Sequence, residues 1–238
     1  MDEPGADVGL YVEALIRVDP EELWELTQNP AQHQRWDLRF TEITYVPGAP
    51  DAARRFRYAT RVAPFLTVAG TGTSAGERHR PDGERVSALR FSSPQPLSLL
   101  AEGSGYWRYV PTSDGIRFLT GYDYRTRWGR FGSLVDRLGF RPLMGWATAW
   151  SFDRLRLWCE RGISPARSLG YAVAEVAVRL LAVPAALPLG PGAALIAAAA
   201  ALLLPPLPVT PAARRCLRRP PGRATAPAPA VLRLLERP

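Results

Sequence analysis

The feature that most constrains this chain is a long, uncharged, apolar segment near its C-terminus. No Asp, Glu, Lys or Arg occurs between Leu180 and Val209. A helix that crosses a bilayer needs about 20 consecutive apolar residues, and this segment is long enough to supply one, although Pro and Gly interrupt it at positions 184–192. The chain therefore has two unlike parts, a mixed N-terminal region and an apolar C-terminal region.

Two membrane topologies fit the apolar region. One is a helical hairpin with spans at Leu169–Leu187 and Gly192–Leu207 that turns at residues 188–191, and the other is a single span at Gly192–Leu207. Arg residues flank the region on both sides. Basic residues prefer the cytoplasmic side of a membrane, and only a hairpin places both groups there, so we favour the hairpin. Glu175 and Arg179 lie inside its first span, and the Ala-rich second span leaves surface association as an alternative.

The net charge of +8 is concentrated in the same third of the chain. Residues 1–160 carry 20 basic and 20 acidic side chains, so the whole excess lies in residues 161–238. A nucleic-acid binder usually carries its basic patch on the folded domain, so we expect a membrane surface as the partner and no nucleic acid. All 30 basic residues are Arg, and the absence of Lys excludes Schiff-base catalysis and a P-loop.

The cysteine and histidine content argues against a metal site or cofactor. Two cysteines exclude a disulfide framework and a cysteine-rich metal site. His33 and His79 are far apart in sequence and lack ligand spacing or a nucleophile motif. The acidic N-terminus lacks an apolar run after basic residues, which predicts synthesis in the cytosol and a location at the cytoplasmic face of the cell membrane.

The N-terminal region has the pattern of an α+β domain. Leu10–Val18 is rich in strand-forming residues, Asp19 can cap a helix that begins at Pro20, and Pro30–Trp36 predicts a second short helix. Turn residues then separate segments of alternating hydrophobicity, each typical of a strand with one buried face. These segments are 40–46, 55–62, 65–74, 85–91, 99–110 and 116–128, the last two joined by a hairpin turn at 113–115.

From about Gly132 the hydrophobic period changes to that of an amphipathic helix. Apolar residues recur at three- and four-residue steps from Leu134 to Trp158. We expect Pro142 to kink this helix and Gly162 to end it.

Two segments carry a resemblance to a known superfamily. Val12–Asp37 resembles the opening of START-like (SRPBCC, polyketide cyclase/dehydrase-like) proteins, with Asp19-Pro20, Trp24 and Trp36 at the matching places, and Phe131–Gly162 resembles the closing helix of bacterial members. The resemblance implies a helix-grip fold, in which a curved antiparallel sheet wraps a long C-terminal helix around a cavity. Family members bind lipids, sterols, polyketides or hormones, and some catalyse cyclisation or dehydration. The C-terminal segment resembles a shortened DoxX-like membrane fusion.

These expectations divide the chain into three regions. Residues 8–162 form the helix-grip domain, residues 163–210 form an α-helical membrane-associated region that meets the membrane through 169–207, and residues 211–238 form a basic, Pro/Ala-rich tail that we expect to be disordered from Pro220.

Aromatic residues supply the candidate ligand site. Large rings give apolar contact area, and Tyr hydroxyl groups can orient a ligand. The alternative is that the same rings fill the core. The candidates are Phe56, Tyr58, Trp107, Tyr109, Tyr122, Tyr124 and Trp128 on strands, with Trp146 and Trp150 on the long helix.

Three functions remain open. We favour a membrane-associated binding or carrier protein for an apolar small molecule or lipid. The first alternative is an enzyme of the cyclase/aromatase or dehydratase type, for which Arg90, Glu102 and Asp123 are candidate polar groups. The second is a regulatory protein that binds a protein partner near the membrane.

Overall fold

The computed structural model describes residues 9–47, 54–64 and 66–222, and its centre is one antiparallel sheet. The sheet has seven strands in the order β1-β7-β6-β5-β4-β3-β2. Thr112 pairs with Gly115, so residues 113 and 114 form the tight turn between the sixth and seventh strands, as predicted. The strands are β1 Leu10–Ile16, β2 Glu42–Val46, β3 Arg54–Ala63, β4 Leu66–His79, β5 Arg85–Ser92, β6 Leu100–Thr112 and β7 Gly115–Thr126.

Two short helices, α1 (Pro20–Gln28) and α2 (Pro30–Trp36), connect the first two strands. The backbone N–H of Glu21 donates to Asp19 Oδ1 over 2.8 Å, which confirms the predicted cap. Asn29 caps α2 in the same way through the Ala31 N–H, at 3.0 Å. These caps satisfy amide groups that a helix start otherwise leaves unpaired.

The long helical segment consists of α3 (Gly129–Val135), a π-helical turn (Asp136–Phe140) and α4 (Arg141–Arg161). The π-helical turn lies directly before Pro142, which has no N–H to donate to the preceding turn. The kink at Pro142 stays a prediction. The predicted apolar stripe is wrong over its first half, because Leu138 and Leu143 are 69% and 59% exposed. The helix becomes continuously buried only from Thr148 to Leu155.

The core lies between the inner face of the sheet and this buried part of α4. Trp36, Phe118 and Phe152 are fully buried there, and the Phe118 and Phe152 rings stack with centroids 4.5 Å apart. A large antiparallel sheet with a long C-terminal helix packed on its face is the helix-grip arrangement, so the predicted α+β fold is confirmed.

The apolar region folds as two helices, α5 (Pro165–Ala186) and α6 (Pro191–Leu203), joined by a 3₁₀ turn at Leu187–Leu189. They pack against each other as an antiparallel pair. The segment Pro165–Leu189 is 25 residues long, and its most apolar 18-residue stretch has a mean hydropathy of 1.8, which is enough by length and composition to cross a membrane. Helix α6 has only 13 residues.

The chain after α6 returns to the domain, which corrects the predicted boundary at 211. Leu217 exchanges two backbone hydrogen bonds of 2.9 Å with Glu13 on the outer edge of β1. Ala213 and Cys216 belong to the main core cluster. Leu217 therefore pairs the backbone groups of Glu13 on an edge strand that would otherwise expose them. The predicted disorder of the tail concerns mainly residues 223–238, which lie outside the described residues.

Candidate functional site

Most of the predicted aromatic residues lie on the inner face of the sheet or on α4, and they form two groups. Trp107, Tyr109, Tyr122 and Trp150 are at most 8% exposed and belong to the core cluster. The Tyr109 hydroxyl group is 2.7 Å from Thr27 Oγ1, which fixes it against α1. Three of this first group therefore fill the core as packing residues, and Tyr122 lies where the core ends.

Beyond Tyr122 the inner face is only partly covered. Tyr58, Leu89, Phe91 and Tyr124 are half-buried, although the register places them on the same face as the buried Tyr122. An apolar inner face that the helix does not fully cover is the kind of surface that takes an apolar ligand.

Glycines make room for rings on this face. Gly72 lies opposite Phe56, and a Cβ atom on Gly72 would be 2.2 Å from the Phe56 ring. Gly103 lies opposite Phe91, and its Cβ would be 2.4 Å from that ring. Since real Cβ atoms do not approach so closely, each ring occupies space that only a glycine leaves free, and we call the two rings the aromatic floor.

Arg39 lies between the ring of Phe40, which follows α2, and the ring of Tyr122 on β7. Its guanidinium carbon is 5.5 Å from the ring centroid of Phe40 and 5.5 Å from that of Tyr122. Phe40 in turn contacts Tyr58, with centroids 5.8 Å apart. We call this arrangement the inner groove. Its rings are Phe40, Phe56, Tyr58, Phe91, Tyr122 and Tyr124, with Arg39 between Phe40 and Tyr122.

A compact polar network supports Arg39. Arg39 forms a bidentate pair with Asp37, with Nε–Oδ1 and Nη2–Oδ2 distances of 2.9 and 2.6 Å. Asp37 Oδ2 is also 3.0 Å from Nε2 of His33. On the other side, the Tyr122 hydroxyl group is 3.1 Å from Thr148 Oγ1 on α4. The network thus links α2, the following loop, β7 and α4.

The pKa values show how this network is charged. Burial alone would raise the pKa of Asp37, but the Arg39 cation and the hydrogen bond with His33 hold it well below its usual range. Burial lowers the pKa of His33 against the opposing effect of Asp37, so His33 is neutral at pH 7. Burial also raises the pKa of Tyr122, which keeps its hydroxyl group protonated.

The groove is therefore mainly apolar, with an internally neutralised ion pair and three phenols, those of Tyr58, Tyr122 and Tyr124, whose pKa values are raised by burial. His33 is enclosed by rings, with its centroid 5.0 Å from Trp36 and 4.7 Å from Trp107. Ser151 Oγ already donates to the Ala147 carbonyl and accepts from the Leu38 N–H. His33 and Ser151 therefore have their hydrogen bonds within the protein.

Two predicted aromatic residues lie elsewhere. Trp128 follows β7 instead of belonging to it, adopts a left-handed conformation with φ of 66°, and donates its ring N–H to the Pro96 carbonyl over 3.0 Å. Trp146 stacks on Trp150 with centroids 6.2 Å apart but remains 45% exposed. Neither contacts the rings of the inner groove, so the placement of Trp128 on the aromatic strand face was wrong.

The candidate polar groups for catalysis lie away from the groove. Arg90 shares a strand face with Val86 and Ala88, and Ala88 packs on the outer side with Tyr106 and Leu119. Glu102 forms an exposed pair with Arg125 at 3.2 Å. Asp123 is exposed. Within the described residues no three His, Cys, Asp or Glu side chains form a metal-binding group.

A separate open cleft of about 430 Å³ lies at strands β2–β4. Of the predicted ligand residues only Tyr58 lines it. Its other lining residues include Glu42, Thr44 and Arg57, which occupy positions alternate to the groove side chains.

Sequence reasoning missed Asp37, Arg39 and Phe40. They follow Trp36 directly, so they stand next to a residue that the resemblance did single out. The signal in the sequence was an Asp and an Arg two positions apart, next to aromatic residues. Asp and Arg also occur close together on solvated surfaces, so this spacing alone does not identify a buried pair.

A sequence relative adds a membrane context. No family model matches the chain. The chain is 49% identical over 168 residues to the uncharacterized membrane protein YndG of Bacillus subtilis (strain 168), which covers 70% of this chain and 63% of that protein. The chain thus spans less than two thirds of the length of this relative.

Solved structures with a similar fold are distant in sequence. They include a STAR-related lipid transfer protein from Xanthomonas axonopodis (12% identity, 67% of this chain and 97% of that chain, TM-score 0.46). The di-domain ARO/CYC BexL from the BE-7585A biosynthetic pathway is 16% identical over 64% of this chain and 48% of its own, with a TM-score of 0.46. A protein from Thermus thermophilus, TTHA0849, is 20% identical over 57% of this chain and 86% of its own, with a TM-score of 0.43. At these scores the fold assignment rests on the strand order and register described above.

Proposed function

We propose that this protein binds an apolar small molecule or lipid in the inner groove while its helical hairpin holds it at the cytoplasmic face of the membrane. The observation that carries the proposal is the run of half-covered rings around Arg39, which begins where the packed core ends. Rings supply contact area, and the Arg39 guanidinium supplies donors for one polar end of the ligand. The Tyr122 oxygen supplies an acceptor, because its own proton is donated to Thr148 Oγ1, which in turn donates to the Met144 carbonyl.

Binding is favoured over acid–base catalysis by the state of the titratable groups. A general base has to reach its substrate within hydrogen-bond distance. His33 is enclosed by rings and hydrogen-bonded to Asp37, and Asp37 is occupied by Arg39. A carrier needs no free base, so the arrangement suits holding a ligand unchanged.

The membrane part of the proposal is supported by the apolar hairpin and by the relative that is named a membrane protein. A carrier placed at the bilayer could exchange an apolar ligand with it directly. The excess of Arg near the hairpin agrees with the cytoplasmic side.

The test uses the full chain purified in a mild detergent and then returned to lipid nanodiscs. Native mass spectrometry and solvent extraction would identify a co-purified apolar mass, and titration with 11-(dansylamino)undecanoic acid would report groove binding. We expect saturable binding that Tyr122→Phe weakens about 5-fold, in line with the loss of one hydrogen bond.

A matched control is available on the other face of the sheet. Tyr106 is buried on the outer face with Leu119, and Tyr106→Phe should leave the affinity unchanged. Equal effects of the two substitutions, or no saturable binding and no co-purified mass, would reject the groove as the ligand site.

A further inference from the structure

The hairpin formed by α5 and α6 presents apolar side chains outwards. Leu180, Leu189 and Leu202 are 69%, 81% and 83% exposed, and only 6% of the most apolar stretch of α5 is buried. A protein in water does not usually expose apolar helices of this extent. The surface therefore needs an apolar environment.

Both ends of the hairpin are fixed to neighbouring residues of α4. At the entrance, Arg154 Nη2 donates to the Pro165 carbonyl over 2.9 Å. At the exit, Asp153 Oδ2 accepts the Ala212 N–H at 2.8 Å. Since both ends are held at one place on the domain, the chain has to leave the membrane on the side where it entered.

A charged clamp marks the base of the free part of the hairpin. Arg179 on α5 donates to the carbonyl groups of Ala201 and Leu204 at the end of α6, each at 2.8 Å. Glu175 pairs with Arg179 and accepts the Leu207 N–H at 3.1 Å. The pair thus satisfies carbonyl groups that a helix end leaves unpaired, and it sets which part of α5 lies level with the end of α6.

The length beyond this clamp is too short to cross a bilayer. Helix α6 has 13 residues, which at about 1.5 Å per residue gives about 20 Å. On the other side of the hairpin, the part of α5 after the clamp and the 3₁₀ turn run from Leu180 to Leu189. Their combined length is about 17 Å, from about 1.5 Å per α-helical and about 2.0 Å per 3₁₀ residue. The hydrocarbon core is about 30 Å thick. The tip therefore reaches only to about the middle of the bilayer.

A basic rim surrounds the base of the hairpin in the sequence. Arg161, Arg167, Arg214, Arg218 and Arg219 are exposed on the segments that enter and leave it. Exposed Arg side chains at a membrane surface are attracted to anionic headgroups. They suit a base that rests on the cytoplasmic leaflet.

We propose that α5 and α6 form a one-leaflet anchor that enters and leaves the anionic leaflet on the same side without crossing the bilayer. The inference rests on the membrane association proposed above and replaces its two-span topology. The turn at Leu187–Gly190 lies near the bilayer centre, and the Glu175–Arg179 clamp lies near the headgroups.

The experiment places one NBD label on the full chain in vesicles of phosphatidylcholine and phosphatidylglycerol (3:1). Leu189→Cys labels the tip, and Val178→Cys, which is 68% exposed next to Arg179 of the clamp, labels the base as the matched control. The unmodified chain, treated with the same reagent, is the blank. Its two native cysteines should take up little label, because burial raises the pKa of Cys159 and Cys216 to about 12 and thiolate is the reactive form.

We expect the tip label to be quenched at least 3-fold more by lipids brominated at carbons 11 and 12 than by headgroup-labelled lipids, and the base label to show the reverse order. In separate samples without NBD, a membrane-impermeant maleimide trapped inside the vesicles should react with neither introduced thiol. Labelling of Leu189→Cys from the lumen would overturn the one-leaflet anchor, and so would quenching of the tip by headgroup-labelled lipids only.

These outcomes are separate from a failure of membrane association itself. If the unmodified chain does not float with the vesicles in a sucrose gradient, the membrane part of the proposed function is wrong. If it floats and its tip is labelled from the lumen, only the one-leaflet topology is wrong.

Discussion

Asp153 joins the long helix to the segment that returns from the hairpin, and its loss should loosen both. The Asp153 side chain is fully buried. Its Oδ2 atom accepts the Ala212 N–H and an Arg215 N–H, each at 2.8 Å, and its Oδ1 atom pairs with Arg156 Nε at 2.7 Å. Replacement by Ala removes all three interactions at once.

The expected cost follows from these contacts. Removing one partner of a buried ion pair costs about 3–5 kcal/mol. The lower end applies here, because Arg156 and Arg215 are 17% and 26% exposed and Arg156 keeps Glu160 at 2.8 Å. We expect Asp153→Ala to lower the free energy of unfolding by about 3 kcal/mol. Asp153→Asn keeps an acceptor for the Ala212 N–H and should cost about 2 kcal/mol.

The assay is urea unfolding of the full chain in detergent, followed by Trp fluorescence, together with hydrogen exchange of the backbone amides. The N–H groups of Glu13 and Leu217, which bond to each other's carbonyl groups, should exchange at least 10-fold faster in Asp153→Ala. The control is Glu102→Ala, because that carboxylate forms an exposed pair and should change stability by less than about 1 kcal/mol. A loss in Asp153→Ala no larger than in the control, or unchanged exchange at Leu217, would refute the reasoning.

Three further predictions concern other parts of the molecule. The folded-state pKa of His33 is below its unfolded value, so the unfolded state takes up the proton first, and stability should fall as the pH drops below about 6.5, by at most about 1.4 kcal/mol per pH unit. His33→Gln should reduce the dependence of the free energy of unfolding on pH, measured by urea titrations between pH 5 and 7. An unchanged dependence would contradict the assignment to His33. Arg179→Met should speed amide exchange at the C-terminal end of α6 without changing the urea midpoint of the domain, and a lower midpoint would show that the clamp also supports the core. Gly72→Val should cost at least about 2 kcal/mol, because the Phe56 ring has to move, whereas Gly192→Ala, with open space around it, should change stability by less than about 1 kcal/mol in the same urea assay.

Much of the fold was predictable because its signals are local. The Asp19 cap, the tight turn before Gly115 and the alternation along β6 and β7 each depend on residues that are near neighbours in the chain. The apolar stripe of the long helix was less reliable. Hydrophobic spacing predicts which residues share a helix face, but it does not tell where along the helix the sheet ends, so Leu138 was expected to be buried.

The candidate site was predictable only in part. Tyr58, Tyr122 and Tyr124 were placed on the inner face from alternation, and the structure puts them in the groove. Alternation assigned Trp107 and Tyr109 to the same face equally well. Which of these rings are covered by helices depends on packing between elements distant in sequence.

By itself, the sequence determined the two-part character of the chain, its α+β pattern and the neutral balance of the N-terminal region, because composition and short-range periodicity carry this information. Only the tertiary structure decided that Arg39, paired with Asp37, lies over the ring of Tyr122 on β7, and that neighbouring residues of α4 hold both ends of the hairpin. These contacts join positions that are distant in the chain, such as Asp153 and Arg215, which are 62 residues apart. Folding selects such contacts through the burial of shared surface and the pairing of buried charge.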